Sequence, residues 1–265
     1  MSDSHEEESE RDDRTPTPTP TPPSTPTPTP SSTAADSPTV AARKALEAVR
    51  YEESPDRFLE AIATASDADL TRVRSDQRTG LAFWLNCYNA TAQLLLDRRP
   101  ELYESQRRFF GTDALTVGGV ELSLDDIEHG IVRGNRSKYG LGYLPRLAGV
   151  GLDDAYRLGL DPRIHFALNC GAASCPAILS YDSQTIDRTL DDATRSYLDE
   201  TVEYDASRDR VLLPRVCLWF VGDFGGRSGL RELVREFEQV PPGSSPSLRF
   251  ASYDWTKLPR QFRSE

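Results

Sequence analysis

From residue 39 onward, apolar positions recur with a changing period, and each change marks an element. Residues 39–51 carry the i, i+3, i+4 spacing of an amphipathic helix. A second helix is predicted over 55–65, with Pro55 at its first position, where a missing N–H is tolerated. A stronger one is predicted over 81–97, where Leu81, Trp84, Leu85, Tyr88, Ala92, Leu95 and Leu96 repeat at helical spacing. LTVGGVEL (115–122) reads as a hairpin, because Gly118-Gly119 supplies the positive φ of a primed turn. Ser123 then caps a helix over 124–133, with Asp126 at the capping-box position.

The apolar run 164–169 reads as a buried strand, and 185–200 as a helix with Ile186, Leu190, Ala193 and Tyr197 inward. Residues 202–214 read as a hairpin and VCLWFV (216–221) as a strand. After the Gly225-Gly226 break, Leu230, Leu233, Val234 and Phe237 mark a helix, and SLRFASYDW (247–255) a last strand. Helices and strands mix without regular βαβ alternation, and no internal repeat is visible. The expected class is therefore α+β: a single domain, 39–265, of helices packed on a small antiparallel or mixed sheet.

Residues 1–38 follow no such pattern. An acidic stretch, MSDSHEEESERDDR, leads into TPTPTPTPPSTPTPTP. Alternating proline removes backbone donors, and no apolar face offsets the entropy of folding, so a disordered tail is expected. As polyproline II, residues 15–30 would span roughly 50 Å at about 3.1 Å per residue. Such a segment serves as a spacer, or as a docking site for a proline-binding partner.

The net charge is −11. Residues 1–38 hold eight acidic and two basic groups, a net −6, which leaves −5 for the domain. That balance argues against binding nucleic acid through its phosphates. No secretory signal and no membrane-spanning run is visible, so no membrane association and a cytoplasmic location are expected. The four cysteines, Cys87, Cys170, Cys175 and Cys217, are then expected to be thiols unless they serve a redox or metal site.

Charged residues make up 28% of the chain, yet Thr79–Leu96 and Ile164–Tyr181 carry none, counting His165 as neutral. Both stretches are expected in the core, so the polar groups inside them must be paired or functional. In the first, Asn86, Asn89 and Gln93 fall at i, i+3 and i+7, one face of a helix. They are either structural amides bonded to a neighbouring loop or the polar wall of a pocket.

The second stretch, with its lead-in, reads DPRIHFALNCGAASCP (161–176). If 164–169 is extended, His165 and Asn169 share a face, and a turn at Gly171 would return Cys175 towards His165. A nucleophilic thiol needs a nearby base, cation or helix N-terminus, which His165 would supply, and Gly171 would leave room for backbone donors to face an anion. The bland alternative is small buried thiols and a hydrogen-bonded core histidine. The C-x4-C spacing is not that of zinc or thioredoxin motifs, so neither a metal nor any other cofactor is expected. On the 124–133 helix, Glu128, His129 and Arg133 form either an exposed polar face or a contribution to the pocket of His165. Neighbours on an α-helix, Glu128 and His129 are not expected to point the same way.

FWLNCYNA (83–90), SLDDIEHGIVR (123–133), DPRIHFALNCGAASCP (161–176) and YDW (253–255) together resemble the successive motifs of domain-of-unknown-function family 547. The resemblance runs from about residue 50 to 257 and implies a shared fold and site, without an assigned reaction. Its motif positions fall on Trp84, Asn86, Tyr88, Asn89, Glu128, His129, Arg133, His165, Cys170, Gly171, Ser174, Cys175 and Pro176. Cys87 and Cys217 lie outside that pattern and read as packing thiols. A weaker likeness to transglutaminase-like and papain-like enzymes would instead make Cys87 the nucleophile.

The leading reading is a cysteine-dependent hydrolase or acyltransferase acting on a small molecule or peptide. Cys175 or Cys170 would be the nucleophile, His165 the base, and Asn86 or Glu128 the orienting group, with Tyr88, Asn89, His129, Arg133 and Ser174 lining the binding site. Two alternatives stand beside it: a non-catalytic protein-binding module, and a thiol-redox protein using Cys170 and Cys175.

Overall fold

A computed structural model describes residues 37–147 and 149–264. The tail expected over 1–38 thus lies outside the described residues, except for Ser37 and Pro38. Ser37 Oγ accepts from the Val40 N–H, and Pro38 opens α1 (Pro38–Arg50). α2 (Asp56–Ala63) and α3 (Thr71–Ser75) follow.

At the centre of the first half lies α4 (Gln77–Arg98), capped by Asp76, whose side chain accepts from the Thr79 N–H. Residues 80–93 of α4 are buried on every face, which explains its uncharged sequence. α1, α3 and the elements that follow wrap around it. Short α5 (Gln106–Gly111) leads into β1 (Asp113–Val117) and β2 (Val120–Ser123), paired antiparallel with Val117 opposite Val120. Gly118 and Gly119 have φ of 54° and 81°, as the primed turn requires.

Ser123 and Asp126 form the expected reciprocal cap: Ser123 N–H and Oγ–H donate to Asp126 Oδ2, and Asp126 N–H donates to Ser123 Oγ. The helix they start is not regular. Residues Asp126–Val132 form a π-helix. Its i→i+5 bonding puts more residues in each turn, so neighbouring side chains diverge less than on an α-helix.

The run 164–169 is not a strand. Pro162–Phe166 form a 3-10 turn, and the segment then loops onward to the next helix. Asp161 caps that turn by accepting from the Arg163 N–H, and Pro162 fixes φ behind it. Arg163 also pairs with Asp161 at 2.6 Å and with Asp191 at 2.7 Å, tying the turn to α6 (Ile186–Thr201).

The last third builds a second cluster of apolar side chains. β3 (Glu203–Asp205) pairs antiparallel with β4 (Arg210–Leu213), and β4 pairs in parallel with β5 (Ser247–Phe250). α7 (Arg215–Trp219) and α8 (Gly226–Glu236) pack beside this sheet. VCLWFV is therefore helical at its start, where strand pairing was expected. Pro214 begins the turn, Cys217 enters the core, and Val216, Trp219 and Phe220 share another face at i, i+3, i+4. The final strand stops at Phe250, and residues 251–255 continue without strand pairing. The architecture is α+β with small sheets. Among the described residues, no helix is long and apolar enough to cross a membrane.

Candidate functional site

The three neutral amides of α4 form a ladder that holds the cysteine loop. Asn86 bonds both backbone groups of Tyr181, its Nδ2 donating to the carbonyl at 2.8 Å and its Oδ1 accepting from the N–H at 3.0 Å. Asn89 donates to the Ala167 carbonyl at 3.0 Å and accepts from the Asn169 N–H at 2.9 Å. Gln93 Nε2 donates to Asn169 Oδ1 at 3.2 Å. Asn169 in turn spans the loop, accepting from the Gly171 N–H and donating to the Pro176 carbonyl, each at 2.7 Å. Asn86 and Asn89 thus bond backbone groups of the loop and do not line the pocket that the two thiols face. Their polar atoms are already spent on backbone groups that burial would otherwise leave unpaired.

A second support comes from the C-terminal segment. Ala173 and Ser174 N–H donate to the Thr256 and Asp254 carbonyls, and Leu258 N–H donates to the Gly171 carbonyl at 2.7 Å. Asp254 N–H donates to Ser174 Oγ at 2.8 Å. Between these supports the loop turns at Gly171, with φ 81°, where a Cβ would lie 2.2 Å from Leu96 Cδ1. Gly171→Ala combines a disfavoured backbone conformation with overpacking, so it is expected to lose about 2–3 kcal/mol, read from urea unfolding.

This turn brings Cys170 Sγ and Cys175 Sγ within 3.1 Å. Both sulfurs belong to free thiols. The donors are distributed unequally. Cys175 Sγ accepts from the Cys170 N–H at 3.2 Å and lies 3.3 Å from the Tyr253 hydroxyl, whereas Cys170 Sγ lies 3.8 Å from that hydroxyl. Burial opposes ionisation of Cys175, but the Cys170 thiol, Tyr253 and the backbone donors overcome it and bring its pKa down to about 7. The Cys170 thiol, which donates to that sulfur, is held well above its ordinary range by this bond and by burial. Of the two thiols, Cys175 is therefore the one that ionises more readily.

Both thiols open onto a pocket of about 620 Å³. Phe110, Trp219, Tyr253 and Trp255 form an aromatic wall, with Trp219 and Tyr253 ring centroids 4.9 Å apart. Tyr88, Glu128, His129, His165 and Ser174 also line it. Glu128 and His129 both reach the pocket, contrary to the expectation for an α-helix, because the π-helix sets neighbouring side chains closer in angle.

His165 stands at the pocket wall but bonds elsewhere. Its Nε2 lies 2.9 Å from Asp223 Oδ2, and its ring stacks on Phe220 at 4.5 Å. It makes no hydrogen bond to either thiol among the described residues. The pairing of His165 with Cys175 assumed a strand, and the 3-10 turn directs the ring to Asp223 instead. Asp223 also accepts from Arg133 Nε at 2.7 Å. Arg133 is fully buried, does not line the pocket, and reaches His129 Nδ1 at 2.9 Å and the Ser137 carbonyl at 3.2 Å. Accepting from a guanidinium leaves His129 Nδ1 unprotonated, with the proton on Nε2 facing Asp125 at 3.5 Å. Burial lowers the pKa of both histidines, with Arg133 adding to the effect at each and Asp223 opposing it at His165.

Glu128 faces the pocket under the Tyr88 hydroxyl, which donates to its Oε2 at 3.2 Å. Burial pushes its pKa up to about 7, with Asp125 and Asp223 adding and Arg133 and Tyr88 opposing. The folded protein then holds a proton that the unfolded chain releases between pH 4.5 and 7, so Glu128 lowers stability as pH rises across that window. Glu128→Gln is expected to match the wild type near pH 4.5 and exceed it at pH 8 by up to about 3 kcal/mol. Urea unfolding of both proteins at the two pH values checks this. The difference between them isolates Glu128 from His129 and His165, whose contributions run the opposite way.

Cys87 and Cys217 are buried in the two apolar clusters, away from the pocket, and burial pushes both thiols up. Neither the burial of Cys87 nor its surroundings favour it as a nucleophile. Among the described residues, no group of three or more His, Cys, Asp or Glu side chains is placed to hold a metal ion.

Tyr253, Trp219 and Asp223 are central to this geometry and escaped the sequence reading as site residues. Tyr253 alone had a signal, in the YDW motif.

Residues 73–198 match the model of a family described as a protein of unknown function, DUF547. No curated protein and no solved structure matches the chain.

Proposed function

We propose, on the premise that residues 73–198 belong to DUF547, that this chain is a thiol-redox protein whose reactive pair is Cys170 and Cys175. The observation that carries this reading is the 3.1 Å approach of the two sulfurs at an open pocket, with the donors concentrated on Cys175. In the forward step, the Cys175 thiolate attacks one sulfur of a substrate disulfide and expels the other as a thiolate. Cys170 then attacks Cys175 Sγ, and its proton passes to the departing thiol. The substrate disulfide gains two electrons and leaves as one thiolate and one thiol, while the protein pair becomes a disulfide.

The hydrolase or acyltransferase reading has less support, because it needs a base at the sulfur and His165 Nε2 is bonded to Asp223. A purely structural cluster would have no need of a pocket beside His165.

An aromatic disulfide reagent tests the proposal. The wild type is expected to release two thiol equivalents per chain and close an internal disulfide. Cys170→Ser should stop at one equivalent, trapped on Cys175, and Cys175→Ser should react far more slowly. A Cys175→Ser variant that reacts like the wild type would defeat the reading.

A further inference from the structure

We propose that the substrate of this pair is a disulfide carried on an extended, uncharged polypeptide segment that docks on the loop at 136–147, an inference that rests on the redox reading above. The large hydrophobic residues exposed in this protein are concentrated there. Tyr139, Leu141, Tyr143, Leu144 and Leu147 are 71%, 47%, 60%, 54% and 100% exposed, and among the described residues only Tyr51 and Leu258 join them. Apolar surface gathered in this way marks a contact site. Tyr139 and Leu141 also line the pocket that holds the two thiols, so rim and pocket form one continuous surface.

The loop is held in shape. Arg136 and Pro145 form a bridge, Ser137 N–H donates to the Leu144 carbonyl at 2.9 Å, and Gly222 N–H donates to the Leu141 carbonyl at 2.8 Å. Leu141 takes a φ of 57°, a left-handed conformation that a side chain seldom adopts and that its surroundings must stabilise. Gly142 lies against Asp223, where a Cβ would fall 2.7 Å from Oδ1. The buried His165–Asp223–Arg133 network therefore braces the rim.

The chemistry of the rim selects the occupant. Residues 139–145 carry no charge, in a chain where 28% of residues do. The neighbouring cations are already engaged: Lys138 pairs with Asp125, and Arg146 with Asp126 at 2.5 Å. Among the described residues that line the pocket, Arg107 alone is a cation without an ion pair, and one such group is too few to hold anionic lipid headgroups, which argues against a membrane surface. Cys170 and Cys175 are each only 7% exposed, so a disulfide lying flush with a folded surface does not reach them. A side chain projecting from an extended segment does, with its apolar neighbours resting on the rim.

The test uses the full chain and a fluorescent peptide of about ten residues, rich in Leu and Phe, with Ser in place of Cys. Anisotropy is expected to show binding about tenfold tighter than for a matched peptide carrying Asp and Glu. The combined variant Tyr143→Ser, Leu144→Ser, Leu147→Ser is expected to lose about tenfold or more in affinity. Leu147→Glu, which alters a fully exposed side chain and no packing, should lose several-fold. Equal affinity for the two peptides would overturn the proposal, as would unchanged binding in both variants. So would a loop-dependent affinity for phosphatidylcholine and phosphatidylserine vesicles in place of the peptide, or loop-dependent dimerisation. Because the probe lacks cysteine, failure of the redox reading leaves this result intact: binding without thiol exchange would discard the redox chemistry alone.

Discussion

Replacing Asp223 with alanine is expected to destabilise the fold by about 3–5 kcal/mol and to loosen the loop at the pocket mouth. Burial by itself would raise the Asp223 pKa, but hydrogen bonds from His165 and Arg133 hold the carboxyl below the ordinary range. One oxygen serves both, at 2.9 Å from His165 Nε2 and 2.7 Å from Arg133 Nε. Arg133 is 0% exposed, so removing its counter-charge leaves a guanidinium buried without an anion against Asp223's place. Asp223→Asn keeps an acceptor but not the charge and should fall between alanine and the wild type. Urea unfolding measures the loss. Hydrogen exchange at Ser137 and Gly222, whose N–H groups close the loop, reports the loosening. A loss under about 1 kcal/mol for Asp223→Ala would mean that the network is not what braces the rim.

The second large effect concerns the Cys175 thiolate. With a pKa near 7, about half of Cys175 is ionised at neutral pH. An ordinary thiol at about 8.5 is roughly 3% ionised. The side-chain donors responsible are the Cys170 thiol and the Tyr253 hydroxyl, at 3.1 and 3.3 Å. The double variant Cys170→Ala, Tyr253→Phe removes both and should slow alkylation of Cys175 at pH 7 by about tenfold. Its alkylation rate should also keep rising through pH 8, where the wild-type rate has levelled off. Each single variant should lie between. Depression of the pKa adds stability as pH rises from 7 towards 9, so the wild type is expected to gain on the double variant across that window. Identical pH–rate profiles would mean that the side-chain donors do not set this pKa.

The sequence exposed the parts of this site that depend on local spacing. Asn86, Asn89 and Gln93 share a face because a helix has a 3.6-residue period, and a ladder of neutral amides holding a loop was one of the two readings open to them. The Ser123–Asp126 cap and the Gly118-Gly119 turn were equally legible, since both are fixed by residues in direct succession. The short apolar runs were not, because a buried strand and a buried helical turn look alike at that length. At 162–166 the deciding signal was the Asp161-Pro162 pair, an N-cap followed by a helix-opening proline. At 216–220 it was the i, i+3, i+4 placement of Val216, Trp219 and Phe220 on the pocket. The partners of His165 and of the thiols were out of reach for another reason. Asp223 is 58 residues from His165, and Tyr253 is 78 from Cys175, so no local pattern links them. The π-helix was hidden as well, since no periodicity in seven residues distinguishes it from an α-helix.

Equilibration of the full-length protein in graded glutathione redox buffers, followed by alkylation and mass spectrometry, tests the redox assignment most directly. Cys170 and Cys175 are expected to lose their alkylation together, in one two-electron transition reversed by dithiothreitol, while Cys87 and Cys217 remain buried thiols throughout. Persistence of both thiols across the whole series, or a lone glutathione adduct on Cys175 with Cys170 still free, would contradict it.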